Sequence, residues 1–468
     1  MKTKKHISKV ILMLVLSGTL QSCFVAKEYV RPEIPVVDSL YRTDNLDLDS
    51  TSLADVSWKT LFTDAELQQY IEEGLQNNMD VRIAIQQLIA AEAYAKQGKA
   101  GYLPTADIGV NATRQEFSEN SQFGSIFSGG LNSFDVTASV SWEADLWGKI
   151  RSQRRLTQAG YLQSVAEHQA VKTRLISTIA STYYNLLALD AQLEVTKKTI
   201  ETRKSSVETI KALKDAGQVT QVAVDQNIAQ YNNARALQVD IETAIFKMEN
   251  TLSILLGKRA QEFERGDLDN QVIEEEIDLG IPALLLSNRP DVLAAEYKLI
   301  QSFEQTNIAR TNFYPSLRLT ASGGFQSLEL DKLLSLNSLF ATVVGGLTQP
   351  LYNRRGLKTA KEVALANQEQ ALLSFKNTLL VAGSEVSNAL YTYESETKKI
   401  EFRKNEVEAL RTAEINSEEL LKSGFANYLD LLTARESALN AELNIINTKL
   451  QKLGAVVNLY EALGGGWK

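Results

Sequence analysis

The chain has 468 residues, a formal charge of −8, one cysteine (Cys23) and two histidines (His6 and His168). A single cysteine excludes a disulfide framework within the chain, and two histidines leave little from which to build a His/Cys zinc site. Residues 1–22 carry four lysines and no acid, so without them the charge is about −12, and an acidic mature chain argues against nucleic acid as a partner.

Residues 1–22 open with basic residues, continue through the apolar run 10–16 and end at Ser22 before Cys23. This reads as a secretory signal peptide, too short to span a membrane as a stable helix. The Ser22-Cys23 junction resembles a bacterial lipobox, in which the chain is cut before the cysteine and the thiol is lipidated. Phe24 rather than Asp follows the cysteine, which by resemblance to Gram-negative lipoproteins points to the outer membrane. The plainer alternative is an ordinary signal peptide with an incidental cysteine.

From there the sequence states one pattern twice, about 207 residues apart. Gly101–Pro104 returns as Asn312–Pro315, Asp145–Lys149 as Pro350–Arg354, Ala216–Thr220 as Ser423–Asn427, and Leu255–Gly257 as Ala462–Gly464. Each half reads as helix, Pro, strand, loop, strand, very long helix, Gly turn, long helix. A unit of that length is too long for a solenoid repeat. None of the seven prolines falls between Pro104 and Pro282 or after Pro350. Proline inside a helix costs about 3 kcal/mol, so these two gaps are where uninterrupted helices can run.

Four segments alternate with period two: 105–113, 133–143, 316–325 and, less cleanly because Phe340 and Val344 break its polar row, 339–351. Each has the length of a tilted membrane strand. One apolar and one polar face also suits a soluble sandwich. Two isolated hairpins are too few for a sandwich, however, and the polar rows carry Asp107, Asp135, Glu143 and Arg318, as a wet lumen would. Four strands cannot close a barrel alone, so the pattern predicts an oligomer.

The expected helices are 149–214, 221–257, 354–422 and 428–463. At 1.5 Å per residue the longest reach about 100 Å and need a partner along their length. Leu439, Leu443, Ile446, Leu450, Leu453, Val457 and Tyr460 keep a 4-3 rhythm, as do Leu186, Leu189, Leu193, Ile200, Val207 and Ile210 with Thr196 and Arg203 interrupting. These are coiled-coil seams, read as packing without chemistry. Gly217 and Gly424 stand where each long helix turns into its successor.

No Gly-rich phosphate loop, His-based triad or metal cluster is present in the sequence, so neither an enzyme nor a cofactor is expected. The leading reading is a transmembrane conduit with a barrel continued by a helical tunnel. The rival is a lipid-anchored coiled-coil spacer between envelope layers, for which strands with one lipid-compatible face have no use.

Several runs resemble the outer membrane factors, the TolC-like channels of tripartite efflux systems, in their NodT-type lipoprotein branch. They are Cys23…Tyr29-Val30-Arg31-Pro32, Trp58…Leu61-Phe62-Thr63-Asp64, Asn77-Asn78…Asp80-Val81, Trp142-Glu143…Asp145-Leu146-Trp147-Gly148, Asn288-Arg289-Pro290-Asp291-Val292 and Tyr314-Pro315-Ser316. The resemblance covers nearly the whole mature chain in order. It implies a mixed α and β membrane protein, internally duplicated: a long α-helical coiled-coil barrel joined to a twelve-stranded transmembrane β-barrel shared by a homotrimer, four strands per chain. It divides the chain into a signal peptide (1–22), a lipidated N-terminal segment with part of an equatorial belt (23–63), a first repeat (64–257), a belt linker (258–286), a second repeat (287–463) and a tail (464–468), with Trp58–Asp64, Lys258–Leu286 and Gly464–Lys468 supplying the belt.

The function it implies is a passive outer-membrane exit duct for small molecules. The duct would extend into the periplasm and be met by a periplasmic adaptor and an inner-membrane pump of the RND type. An exit duct for a protein or metal exporter is the alternative cargo reading. The turns Gly217-Gln218-Val219-Thr220 and Gly424-Phe425-Ala426-Asn427 are the expected adaptor contacts. The family pattern Tyr-Leu-x-x-Leu-Asp-Ala falls on Tyr428–Ala434, which places a periplasmic gate at Leu429, Asp430 and Thr433. Thr433 stands where the family has Asp, so a salt-bridge lock does not carry over. Asp430 is either part of a ring at the mouth or an acid favoured at a helix start.

Overall fold

The computed structural model describes residues 25–33, 53–124, 130–271 and 285–467. The signal peptide, Cys23 and part of the belt linker (272–284) lie outside them. The elements in order are α1 (Trp58–Leu61), α2 (Ala65–Asn77), α3 (Met79–Ala100), β1 (Thr105–Gln115), β2 (Leu131–Ala144), α4 (Lys149–Asp215), α5 (Gln221–Leu255), α6 (Leu285–Asn288), α7 (Pro290–Thr311), β3 (Ser316–Ser327), β4 (Leu339–Thr348), α8 (Gly356–Lys422) and α9 (Tyr428–Leu463). The proline-free gaps hold the long helices: α4 and α8 are each 67 residues. Strand β4 ends at Thr348, short of the expected 351, because Gln349 turns back to donate its side-chain amide to the Phe313 carbonyl.

The chain forms two compact units. One comprises Met1–Pro32, Leu88–Gln163 and Ala295–Phe375; the other comprises Glu33–Gln87, Ser164–Ala294 and Lys376–Lys468. Each takes segments from both halves of the repeat.

The first unit contains the sheet, an antiparallel meander in the order β1-β2-β3-β4. Its register puts the alternating rows in phase. Ala106 faces Val140, Val140 faces Ala321 and Ala321 faces Val343, while on the other side Asp107, Ser139, Ser322 and Thr342 align. One face is therefore apolar across all four strands and the other polar, which a one-residue slip at any pairing would destroy. Phe340 and Val344 fall on the polar face, Phe340 opposite Gly324. Strand β1 is exposed along its whole length, and β4 nearly so.

The second unit is built around aromatic and aliphatic side chains from α1, α4 and α9. Phe62 meets Tyr184 and Tyr460 edge-on at 6.4 and 6.1 Å, and Tyr460 donates to the Val56 carbonyl at 2.8 Å. The repeat reappears here as geometry. Asn78 accepts from the amides of Asp80 and Val81, capping α3, and donates to the Leu255 carbonyl at 2.9 Å. Arg289 donates to the Ala462 carbonyl at 3.0 Å and is buried among Asp291 and Glu385. Leu255 and Ala462 are equivalent positions at the ends of α5 and α9. Each is followed by a left-handed glycine, Gly257 (φ 66°) or Gly464 (φ 92°). A Cβ there would come within 2.6 Å of the Asn77 carbonyl or 2.4 Å of the Asn288 carbonyl, so both the backbone conformation and the space require glycine.

Candidate functional site

The first part of the site is the sheet. An apolar face suits lipid and a polar face suits water, and every backbone group must be bonded if the sheet is to cross a bilayer. The outer edges of β1 and β4 have no neighbouring strand among the described residues. Among those residues no helix is long and apolar enough to cross a membrane.

Aromatic side chains gather where the strands give way to helices. Trp142 donates its indole N–H to the Tyr102 carbonyl at 3.0 Å, and Trp147 donates to the Pro315 carbonyl at 2.8 Å. Tyr314 stacks on Trp147 with ring centroids 4.9 Å apart, and Leu351 and Tyr352 stand fully in the open. Rings with one apolar and one hydrogen-bonding end settle at membrane–water interfaces, so this end of the sheet is marked as one. On the polar face, Glu143 pairs with Lys149 at 2.8 Å and with Arg318, its register partner on β3, at 3.4 Å.

The second part is the pair of helical turns. They are built alike. After α4, Gly217 (φ 75°) lets the Gln218 amide reach the Leu213 carbonyl at 2.9 Å; after α8, Gly424 (φ 79°) lets the Phe425 amide reach the Leu420 carbonyl at 2.9 Å. Both are Schellman closures, which need a left-handed residue. A core of Ile210, Ala223, Val224 and Tyr428, flanked by Val219, Leu421 and Leu432, joins the two turns. Of the residues expected at the adaptor contact, Gly217, Gln218, Gly424, Phe425 and Asn427 are exposed, Thr220 likewise, and Val219 and Ala426 are half-buried. Of the expected gate residues, Leu429, Asp430 and Thr433 are exposed together on one side of α9. Asp430 also closes a reciprocal cap with Asn427.

Just behind the turns lies a polar network that the sequence reading passed over. Arg435 of α9 donates to Ser206 of α4 and to Glu418 of α8, the latter at 2.9 Å. Lys422 donates to the same Glu418, and the two cations outweigh the burial that opposes its charge, holding this carboxyl below the usual range. Arg203 of α4 is buried and donates to both the backbone and side-chain oxygens of Gln230 in α5. Arg411 of α8 pairs with Glu414 and with Glu442 of α9. Thr196 and Arg203, which interrupt the apolar rhythm of α4, are buried in the seam itself, with Thr196 donating to the Gln192 carbonyl. The signal in the sequence was that both occupy seam positions and neither is apolar.

The segments expected to form the belt also have defined partners. Asp64 caps α2 through the Leu67 amide at 3.1 Å and accepts from Tyr183 at 2.9 Å and Gln271 at 2.8 Å. Burial opposes its charge, but these donors prevail and hold the carboxyl below the usual range. Burial and the same carboxylate push the Tyr183 hydroxyl up. Arg265 pairs with Asp190 and with Glu249 at 2.6 Å, and Trp467 donates to the Asn288 carbonyl at 2.9 Å.

The family model described as "Outer membrane efflux protein" matches residues 70–258 and 281–465. The outer membrane protein OprJ of Pseudomonas aeruginosa is 29% identical over 467 residues, covering 97% of this chain and 95% of that protein. SilC of Salmonella typhimurium, a probable outer membrane lipoprotein, is 25% identical over 97% of each chain. Among solved structures, the open state of the MtrE outer membrane channel of Neisseria gonorrhoeae aligns with a TM-score of 0.84 at 26% identity, covering 95% of this chain and 99% of that one. CusC aligns at 0.83 and 22% identity, covering 94% of this chain and all of that one, a likeness of fold.

Proposed function

This chain belongs to the outer membrane efflux protein family, and from that premise we propose that three copies close a single twelve-stranded barrel and form the exit duct of a tripartite efflux system. Its place is the outer membrane and its role is that of an efflux component. The observation that supports closure by several chains is the sheet: one coherent apolar face, one coherent polar face, and two outer edges that pair with no strand among the described residues. Unpaired edges are untenable in lipid, and closure removes them.

In this reading the duct is passive, and small molecules cross it after an inner-membrane pump of the RND type and a periplasmic adaptor have delivered them. The adaptor meets the turns at Gly217–Thr220 and Gly424–Asn427. Leu429, with Thr433 one turn behind it, narrows the mouth. Cys23 carries the lipid that adds a second hold on the membrane, and the segments around Asp64, Arg265 and Trp467 form a belt. The exposed Phe425 and Leu429 support the contact and gate assignments, since apolar side chains left in water at a turn invite a partner.

The test is the mass of detergent-extracted protein. A particle of three chains with intact strand signal is the expected result, and a stable monomer with that signal overturns the barrel.

A further inference from the structure

Beside the interface-marking aromatics lies a cavity of about 590 Å³, lined by Tyr102, by Arg151, Arg154 and Arg155 of α4, by Tyr29 and by Glu304 of α7 among others. Its charge is unbalanced. Arg155 takes up both of its carboxylates, Glu28 at 3.2 Å and Glu304 at 3.7 Å, and Glu304 also accepts from Asn307 at 3.1 Å. Nearby Glu296 is committed to Arg31 through two bonds of 2.6 Å. The Asp145 carboxylate accepts from the backbone amide of Arg151 at 2.9 Å, but among the described residues no carboxylate pairs with the guanidinium of Arg151 or Arg154, and the Nε of Arg151 is buried without a hydrogen-bond partner. In a chain of net charge −8, two uncompensated guanidinium groups at one cleft call for an anion.

Their position says which anion. Arg151, Arg154 and Arg155 fall within the first two turns of α4, no more than about 10 Å along its axis from Lys149. Lys149 follows Trp147 by two residues, at the level of the aromatic belt. The headgroup layer of a bilayer is roughly 5–7 Å thick on each side, and Arg151 and Arg154, about 3 and 7.5 Å along the axis from Lys149, match the depth of lipid phosphates. Residue 23 precedes Glu28 by five residues, at most about 18 Å of extended chain, so a lipid on Cys23 would share the same leaflet.

We propose that the Arg151/Arg154 cleft is a binding site for the phosphate of an anionic glycerophospholipid of the periplasmic leaflet, with Gln158, which also lines the cavity, as a polar partner for an alcohol headgroup. Guanidinium groups suit phosphate oxygens because they present paired donors in a fixed fork. The inference rests on the outer-membrane placement of the barrel.

The experiment uses the full chain extracted in detergent, stripped of lipid and examined by native mass spectrometry with phosphatidylglycerol or phosphatidylethanolamine added. Wild type should retain phosphatidylglycerol, and R151Q/R154Q should lose at least about tenfold of that retention, as expected for removing two charge-assisted contacts. The control K197Q/K204Q, with the same loss of charge further along α4, should keep it. Equal retention in R151Q/R154Q, equal loss in the control, or phosphatidylethanolamine held as tightly would each overturn the site. Displacement by inorganic phosphate at millimolar concentration would reduce it to a phosphate site and overturn the lipid assignment. Fractionation of the same cells separates the premise from the proposal. Wild type missing from the outer membrane would sink the duct itself, whereas R151Q/R154Q present there at normal level confines the result to the cleft.

Discussion

Asn427 and Asp430 satisfy each other's backbone at the start of α9. The Asn427 side chain accepts from the Asp430 amide at 3.0 Å, and the Asp430 carboxylate accepts from the Asn427 amide at 3.2 Å. The equivalent positions in the first half are Thr220 and Ala223, where no side chain caps α5 and Ala223 is buried in the core between the turns instead. The two turns share one backbone and differ in how their second helix starts. The difference gives Asp430 a local role independent of any other chain.

That role fixes the outcome of mutating it. Removing one side of a capping box costs about 0.5–2 kcal/mol, so Asp430→Ala should speed hydrogen exchange over the first turn of α9 and lower the melting temperature slightly. Asp430→Asn keeps an acceptor and should restore most of the loss. In planar bilayers Asp430→Ala alone should leave single-channel conductance unchanged, while Leu429→Ala/Asp430→Ala should raise it. An unchanged double mutant would move the constriction away from Leu429.

Arg435 ties α9 to α4 and α8 at once. Its side chain is only 12% exposed, and Glu414, 3.6 Å from its Nε, is equally covered. Replacing it by Met removes one of two cations from Glu418, which keeps Lys422, and from Glu414, which keeps Arg411, and the lost charge-assisted bonds should cost about 1–3 kcal/mol locally. Exchange protection should fall on both sides of Gly217 and Gly424 and remain unchanged in β1 to β4. Arg435→Lys should not rescue it, because a single ammonium cannot reach Ser206 and Glu418 together. Protection lost equally in the strands would mean that the network supports the whole fold.

Much of this was legible beforehand, for physical reasons. The alternation that produces two faces is a period-two signal, and the register carries Asp107, Ser139, Ser322 and Thr342 onto one side as the pattern required. Helix lengths followed from the prolines, and the turns from Gly217 and Gly424. Phe340 and Val344 blurred β4 because they belong to the polar face without being polar. Arg203 and Arg435 were not legible as a network. They stand more than two hundred residues apart, and a seam position filled by arginine looks like an interruption until a partner helix is in place. Asp64 was visible only as part of a motif; its donors come from Leu67, Tyr183 and Gln271, two of them distant in sequence.

Asp64 should make stability sensitive to acid. Its folded carboxyl lies below the ordinary value of about 3.9. The stabilisation is therefore fully present above that value and is lost as pH falls through the lower, folded one. Asp64→Asn keeps the cap on α2 but has no charge to lose. The gap in melting temperature between wild type and Asp64→Asn should be widest near neutrality and shrink as the pH is lowered below about 4. A gap constant across that range would mean that shape, and not charge, sets the contribution of Asp64.

The turns offer a test that separates folding from contact. Nothing lies within 4 Å of a Cβ built on Gly217 or on Gly424. A side chain added there meets open space, and the only internal cost is the positive φ. Asparagine tolerates that conformation better than other residues with a Cβ, so Gly217→Asn/Gly424→Asn should preserve the three-chain particle, membrane insertion and helical content, with a loss of stability of roughly 1–2 kcal/mol in all. If the adaptor seats on these turns, the two added amides occupy its contact surface. Export should then fall sharply, and cross-linking between adaptor and turn should disappear. Normal export from a folded, inserted double variant would place the adaptor elsewhere on the helices. Export lost together with the three-chain particle would point to folding, and single Gly217→Asn and Gly424→Asn variants would then show which turn the fold depends on.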